Sequence, residues 1–578
     1  MQGSATILTN LSIEDETLGG GYPADAQEVL NADISATPET PGVARSTAIM
    51  SMATLLSRIT GFVRIWATAM ALGVGVIASG YNIANNVPNM IFELVAGGIL
   101  SSLFIPTYMD VKRERGEEGA WKFASHIFNI FIIVLGVVAL VGTLFPGPFI
   151  WTQTFRDSAS SVQVRQTAGF LFRFFAIQVV LYGGGMVIQA VLNSHRKFLW
   201  PALGPVFNNL VVIATMFYVA TQPLNNHTLI VMAVGTTLGV AAMFIVMLPS
   251  LSKTNMRYSF ELGLRDPAIK KMMILAVPGL FYVITNLVTV SFRNASAQAV
   301  SGSGASVMSY AWTWYQLPYG ILAVALATAL FTELSTHASA RDTVKFKETL
   351  SGGLRQTATL IMPAAGLLYA LATPLVTLYT TGRFKADSVP LVAGVLRTWA
   401  LALTFYACMM FVLRCFYSLK DTKTPALANL LTSFIQIGGY MVLTTGIGAW
   451  KGFGLKGIPF SDLIFCLLQF SLLLYLLRKK IGAFDISTFI SVFVRMGVAS
   501  IIATASVMVF VSYASPHFTD GQGSLSLSGS VLIIAVGAVL GLTVAFGLAT
   551  LFRVKDVVKA RQLLASLFNK ILGKRKSS

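Results

Sequence analysis

Apolar residues in this chain fall in long unbroken runs, not in the two-residue alternation of a half-buried strand or the narrow stripe of a surface helix. A run of about 20 residues, coiled as an α-helix, matches the hydrocarbon thickness of a bilayer. With no water in that layer, each segment must satisfy its own backbone hydrogen bonds, which a helix does alone. The runs predict spans at 47–72, 80–108, 121–146, 166–193, 199–220, 228–250, 272–299, 304–334, 352–379, 389–418, 425–446, 454–477, 486–513 and 528–552. The expected fold is an all-α polytopic membrane protein of about 14 transmembrane helices.

The polar connections between runs are charged unequally. Alternate connections hold Lys112, Arg113, Arg115, Arg196, Lys197, Lys253, Arg257, Arg265, Lys270, Lys271, Arg341, Lys345, Lys347, Lys420, Lys423, Arg478, Lys479 and Lys480. Arg156, Arg383, Lys385 and Lys451 belong to the other set, eighteen against four. Lysine and arginine accumulate in cytoplasmic loops, so the first set is assigned to the cytoplasm. Both termini are then cytoplasmic, which requires an even number of spans.

Two segments about 224 residues apart look alike. Ser194-His-Arg-Lys-Phe-Leu-Trp-Pro-Ala-Leu203 joins the fourth span to the fifth, and Ser418-Leu-Lys-Asp-Thr-Lys-Thr-Pro-Ala-Leu427 joins the tenth to the eleventh. Each opens its second helix with a proline, whose missing N–H has no partner in a first turn anyway. A weaker echo links Pro88–Phe104 with Pro318–Leu334, through Val95-Ala-Gly-Gly98 and Val324-Ala-Leu-Ala327. The offsets predict two pseudo-symmetric six-helix lobes plus two C-terminal helices. The expected divisions are 47–250, 251–480 and 481–552, between an acidic tail at 1–46 and a basic tail at 553–578. Parallel repeats of this kind are a recurrent transporter plan, with the substrate at the interface of the halves.

Composition agrees: 55% of the 578 residues are hydrophobic and 11% charged, against about a quarter charged in a soluble protein. The net charge of +18 does not point to nucleic acid, because the basic residues sit in short inter-span loops. Cys408, Cys415 and Cys466 lie inside apolar runs, with no disulfide framework or metal-ligand spacing. The acidic tail reads as a solvated segment, and the basic tail either as an ordinary cytoplasmic end or as a segment lying on anionic lipid. Docking of partner proteins is the alternative role for the tails.

Several ionisable residues fall within spans: Arg58, Arg64, Glu93, Arg173, Arg293, Arg397, Asp462 and Arg495. Each costs about 2.5–3.5 kcal/mol at the bilayer centre on insertion scales. Thr54, Ser57, Gly61 and Arg64 recur at three- and four-residue spacing, a polar stripe that must face another helix or a water-filled cavity. The alternative for Arg58 and Arg64 is a structural role, tied to helix-end carbonyls or to Glu93. Arg293 has two readings, a second-lobe anion contact or a side chain snorkelling to the interface. Guanidinium groups donate to two phosphate oxygens at once, so an arginine-lined cavity favours an anionic substrate. Ser57, Arg58, Arg64, Asn89, Arg293 and Gln316 are the candidate substrate contacts. His126, His195, His227, His337 and His517 are scattered, no glycine-rich phosphate loop is present, and no cofactor, metal or catalytic set is expected.

Ser57-Arg-Ile-Thr-Gly-Phe-Val-Arg64, Val87-Pro-Asn89, Gly98-Ile-Leu-Ser-Ser-Leu-Phe-Ile-Pro106, Leu317-Pro-Tyr-Gly-Ile-Leu-Ala-Val-Ala-Leu326, Tyr379-Thr-Thr-Gly-Arg-Phe-Lys-Ala-Asp387 and Phe416-Tyr-Ser-Leu-Lys-Asp-Thr-Lys-Thr-Pro425 follow one another in an order that resembles the MurJ (MviN) lipid II flippases. These belong to the superfamily of multidrug, oligosaccharidyl-lipid and polysaccharide exporters. The resemblance implies a fourteen-helix fold around a cationic central cavity, alternating access that carries the peptidoglycan precursor outward, and a groove for its polyprenyl tail along the last two helices. It implies lipid II as the partner, cell-wall synthesis proteins as the candidates to dock on the tails, and Arg58 and Arg64 at the family positions for the pyrophosphate. Phe92-Glu93 and Thr313, flanked by Trp312 and Trp314, stand where many relatives carry further arginines, and Arg293 is a candidate replacement for one. The seventh and eleventh spans have no Asp or Glu of the kind some relatives use for sodium. Another polyprenyl-linked glycan, or a drug or cation exchanged by an antiporter, are the alternative cargoes.

Overall fold

The structure, a computed structural model, describes residues 41–94, 100–254, 256–519, 524–554 and 556–557. The acidic segment 1–46 apart from its last residues, most of the basic tail 553–578, and Val95-Ala-Gly-Gly98 lie outside the described residues.

The first part of the chain forms α1 (Pro41–Leu72), α2 (Val76–Phe92), α3 (Leu100–Leu144), α4 (Pro146–Thr154), α5 (Ser161–Phe175), α6 (Gln178–Ser194), α7 (Leu199–Thr221), α8 (Asn226–Ile245) and α9 (Leu248–Ser252). The second forms α10 (Pro267–Val300), α11 (Gly304–Pro318), a π-turn at Tyr319–Ala323, α12 (Val324–Ser339), α13 (Thr343–Ala370), α14 (Ala372–Thr377), α15 (Val389–Ser418), α16 (Lys423–Thr445) and α17 (Gly457–Ile481). Two further helices follow, α18 (Ile486–Ala514) and α19 (Leu527–Leu551).

Ten helical segments are long and apolar enough to cross a membrane, and eleven when α5 and α6, bent by 43°, form one broken span. Of the other three expected spans, 80–108 and 272–299 are helical wherever they are described, and 352–379 is helical apart from a break at Leu371 and a turn at Leu378 and Tyr379. Fourteen spans are compatible with this arrangement. α1 starts at Pro41, ahead of the expected 47. α3 runs through the expected second connection and turns at Gly116, whose φ of 73° is left-handed, a conformation glycine adopts without steric penalty. Arg165 in α5 and Lys456 before α17 add to the sparsely charged end without reversing the imbalance.

The duplication is realised residue by residue. α7 and α16 begin and end 224 positions apart, and the connections before them both turn through a non-glycine left-handed residue, Arg196 at φ 57° and Lys420 at φ 56°. The two turns close with the same backbone bonds, Lys197 N–H to Leu192 O and Asp421 N–H to Phe416 O. Helix pairing repeats as well. α1 packs on α7, α2 on α5, α3 on α6 and α7 on α8, as α10 packs on α16, α11 on α15, α13 on α15 and α16 on α17. α18 lies against α13 and α19 against α18, outside this scheme.

Candidate functional site

α1 carries both arginines past the interface of the two halves, and its neighbours fix their heights. Asn209 of α7 donates to Ser57 O over 3.3 Å and to Thr60 Oγ1 over 3.0 Å, and Gly61 faces the same amide. Part of the predicted polar stripe therefore packs on a helix of its own half. Arg58 points elsewhere. A methyl group added to Gly320 would meet Arg58 Nη1 at 2.7 Å, so the guanidinium lies against the π-turn of the second half. Pro318 immediately precedes that turn. Proline has no N–H and crowds the preceding carbonyl, a common cause of such irregularities. One turn before Gly320, Gln316 Nε2 is buried with no hydrogen-bond partner among the described residues, an amide donor in want of an acceptor.

Arg64 stays with the first half. It lies within electrostatic range of Tyr81 and Tyr182, and Tyr182 has Asn89 beside it. Arg58 and Arg64 are both partly exposed. Arg293 lies 5.5 Å from the ring centroid of Trp312, an attractive cation–π geometry, and near Tyr440. It does not join Arg58 and Arg64 in any described contact. Asp462, bonded to the same tyrosine, accepts from Trp399 Nε1 over 2.7 Å, from Gln436 Nε2 over 2.8 Å, and from Tyr440 OH.

Sequence reasoning passed over Arg414. It stands four residues before the end of α15, where a basic residue looks like an ordinary span terminus. In the fold it is buried, donates to Thr328 Oγ1 over 3.0 Å, and shares the surroundings of Tyr319 with Arg58. No three His, Cys, Asp or Glu side chains among the described residues gather to hold a metal ion.

At the sparsely charged end the halves are locked together. Phe62 meets Trp314 edge-on with centroids 4.8 Å apart, and Trp314 continues to Tyr379, Tyr310 and Phe384. Tyr310 OH donates to Gly73 O over 2.8 Å, and Trp66 Nε1 to Leu378 O over 3.0 Å. Ser79 and Ser306, 227 positions apart, meet Oγ to Oγ at 3.3 Å. Two arginines complete the closure reciprocally. Arg383 of the second half donates to Ala71 O at 2.6 Å, to Val219 O at 3.1 Å and to Gln222 O, at the ends of α1 and α7. Arg156 of the first half donates to Ser296 Oγ at 2.9 Å, and to Thr445 Oγ1 at 2.9 Å at the end of α16. Cations suit helix C-termini, where carbonyls lack partners and the helix dipole is negative. Partial burial lowers the pKa of Arg156 from its ordinary value, yet a guanidinium remains charged. From Gly320 toward the basic end, the described hydrogen bonds stay within one half, apart from those between α3 and the segment leading into α10.

Two repeated helical bundles closed at one end, with an arginine at their interface midway along, define a membrane transporter. Residues 68–537 match the family described as Lipid II flippase MurJ, and the chain belongs to that family. It is 28% identical over 418 residues to the lipid II flippase MurJ of Burkholderia cenocepacia, covering 70% of this chain and 80% of that one. It is 26% identical over 537 residues to a probable lipid II flippase MurJ of Rhizobium meliloti, covering 89% and 95%. The fold superposes on the structure described as lipid II flippase MurJ, inward closed conformation, with a TM-score of 0.72 at 21% identity over 88% of this chain and all of the other. It also matches an inward-facing multidrug resistance MATE family transporter of the MOP superfamily with a TM-score of 0.60 at 14% identity, over 79% and 98%.

Proposed function

We propose that this chain carries lipid II from the inner to the outer leaflet of the bacterial cytoplasmic membrane by alternating access, as part of cell-wall biosynthesis. The observation that carries the reading is Arg58 against Gly320, one turn from the unpaired Gln316. This arrangement brings a cation from one half and an amide donor from the other to the middle of the membrane. A pyrophosphate there takes paired hydrogen bonds from the guanidinium and bridges the halves while they are parted at the basic end. Arg64, Asn89 and Tyr182 form a second polar group on the first half, suited to the same anion or the sugar beside it. Arg293 serves the second half.

The halves at 47–250 and 251–480 move against each other, with 481–552 alongside for the polyprenyl tail, and both termini face the cytoplasm. Transport on this reading makes and breaks no covalent bond. An antiporter would use a membrane carboxylate that exchanges its partners, whereas Asp462 already accepts three hydrogen bonds.

The test is depletion of the protein in a cell that depends on it. Lipid II then accumulates on the inner leaflet, and Arg58→Ala or Arg64→Ala, expressed at normal level, fails to restore its export. Export at the usual rate during depletion would dismiss the cargo, and normal growth of both variants would dismiss the site.

A further inference from the structure

The connection between the two halves contains a stretch without regular secondary structure, residues 256–263, which is pinned to α3. Asn129 Nδ2 donates to Ser259 O at 2.9 Å and to Glu261 O at 2.8 Å, while Tyr258 OH donates to Asn129 Oδ1 at 2.5 Å. Ser259 N–H donates to Ser125 Oγ at 3.2 Å. His126 lies between Glu261 at 3.5 Å and Asp266 at 3.9 Å, and Arg115 pairs with Asp266 at 3.0 Å. Gly263, at φ 55°, leaves no room for a side chain beside the imidazole.

These bonds hold the Ser259 and Glu261 carbonyls and the Tyr258 ring against α3, and three apolar side chains of the same connection are left in the open. Phe260 is 89% exposed, Leu262 40% and Leu264 70%. A row of large apolar side chains left this exposed marks an interaction surface.

Its surroundings say which kind. Lys253, Arg257, Arg265, Lys270 and Lys271 flank the row and are exposed, and outnumber the nearby acids, of which Asp266 is paired with Arg115 and Glu261 lies 3.5 Å from His126. The row also continues into the apolar exteriors of the spans that it adjoins, Met273 and Ile274 on α10 and Ile133 and Val134 on α3. We propose that this segment is an interfacial anchor, with Phe260, Leu262 and Leu264 seated among lipid head groups and the flanking cations binding anionic phospholipid, so that the connection between the moving halves is held at the membrane surface. Apolar residues combined with basic ones recognise such a surface. The proposal is independent of the cargo.

The test uses the full chain with Phe260→Cys or, separately, Leu264→Cys, labelled with a polarity-sensitive fluorophore; Cys408, Cys415 and Cys466 are buried. The protein is reconstituted in phosphatidylethanolamine vesicles with or without phosphatidylglycerol. The expected result at both positions is blue-shifted emission, quenched by lipids spin-labelled near the head group. This quenching falls several-fold without phosphatidylglycerol or when Arg257, Arg265 and Lys270 are changed to glutamine. Emission from an aqueous setting quenched by iodide in every vesicle, or shielding that appears only with a second protein bound, would overturn the anchor. Lipid quenching indifferent to phosphatidylglycerol and to the glutamine substitutions would overturn the anionic specificity.

Discussion

Arg383 donates from Nη1 to the carbonyl oxygen of Ala71 across 2.6 Å. It belongs to the connection before α15, yet it finishes a helix at the other end of the chain. Arg156, 227 positions earlier, does the same in the opposite sense at the end of α16. The seal is thus a pair of charged latches related by the internal repeat, each binding the half it does not belong to.

Hydrogen bonds to charged groups contribute about 1.5–3 kcal/mol, so Arg383→Ala or Arg156→Ala should shift the equilibrium toward the form open at this end by roughly ten- to hundredfold. The measurement is labelling of Ser79→Cys by a membrane-impermeant thiol reagent from the sparsely charged side. Faster labelling is expected in each variant, with partial recovery in Arg383→Lys. Unchanged rates in both would show that the latches do not hold the seal.

Gly73 has φ 64°, and a side chain there would meet Arg383 O at 2.3 Å. Gly73→Ala should lower the melting temperature, since the left-handed conformation alone costs about 1–2 kcal/mol and the contact forces the latch away. Gly75, with open space around it, is the control: Gly75→Ala should leave stability near the parent. Equal losses in the two variants would contradict the close-approach argument.

Gly320 separates stability from transport. Alanine favours a helix over glycine by about 0.5–1 kcal/mol, and the atom that it would displace is the flexible tip of Arg58. Gly320→Ala should melt at or slightly above the parent temperature while supporting lipid II export poorly. Full export in a complementation assay would mean that Arg58 does its work without this contact.

The connection between α15 and α16 supplies a pH dependence. Partial burial raises the Asp421 carboxyl, but Lys480 and the Thr424 N–H and hydroxyl outweigh it, leaving its pKa below the ordinary value. A lowered folded-state pKa contributes stability above the unfolded value of about 3.9, and that stability is lost as pH falls through the folded value. Asp421→Asn should therefore melt lower than the parent at neutral pH, by an amount worth about 1 kcal/mol, since the Lys480 end of the pair is open to solvent and screened. The gap should close in strong acid. A gap constant across the titration would assign the effect to something other than the carboxylate charge.

What could be read in the residues was local and periodic. Apolar runs specify helices because a bilayer offers the backbone no other partner, and the runs at 199–220 and 425–446 lie on α7 and α16 to within about two residues. The likeness of Ser194–Leu203 to Ser418–Leu427 carried the repeat, down to the matching left-handed turns at Arg196 and Lys420. Arg58 and Arg64 stood out because charge within an apolar run is expensive. Tertiary structure alone decided what those charges face. Arg58 meets a glycine 262 positions away, Arg414 turns from a span end into a buried neighbour of Tyr319, and Arg156 and Arg383 become latches rather than loop charges. These contacts depend on how two rigid bundles lean together, and helical periodicity, which reports only which face of one helix is apolar, carries no information about that angle.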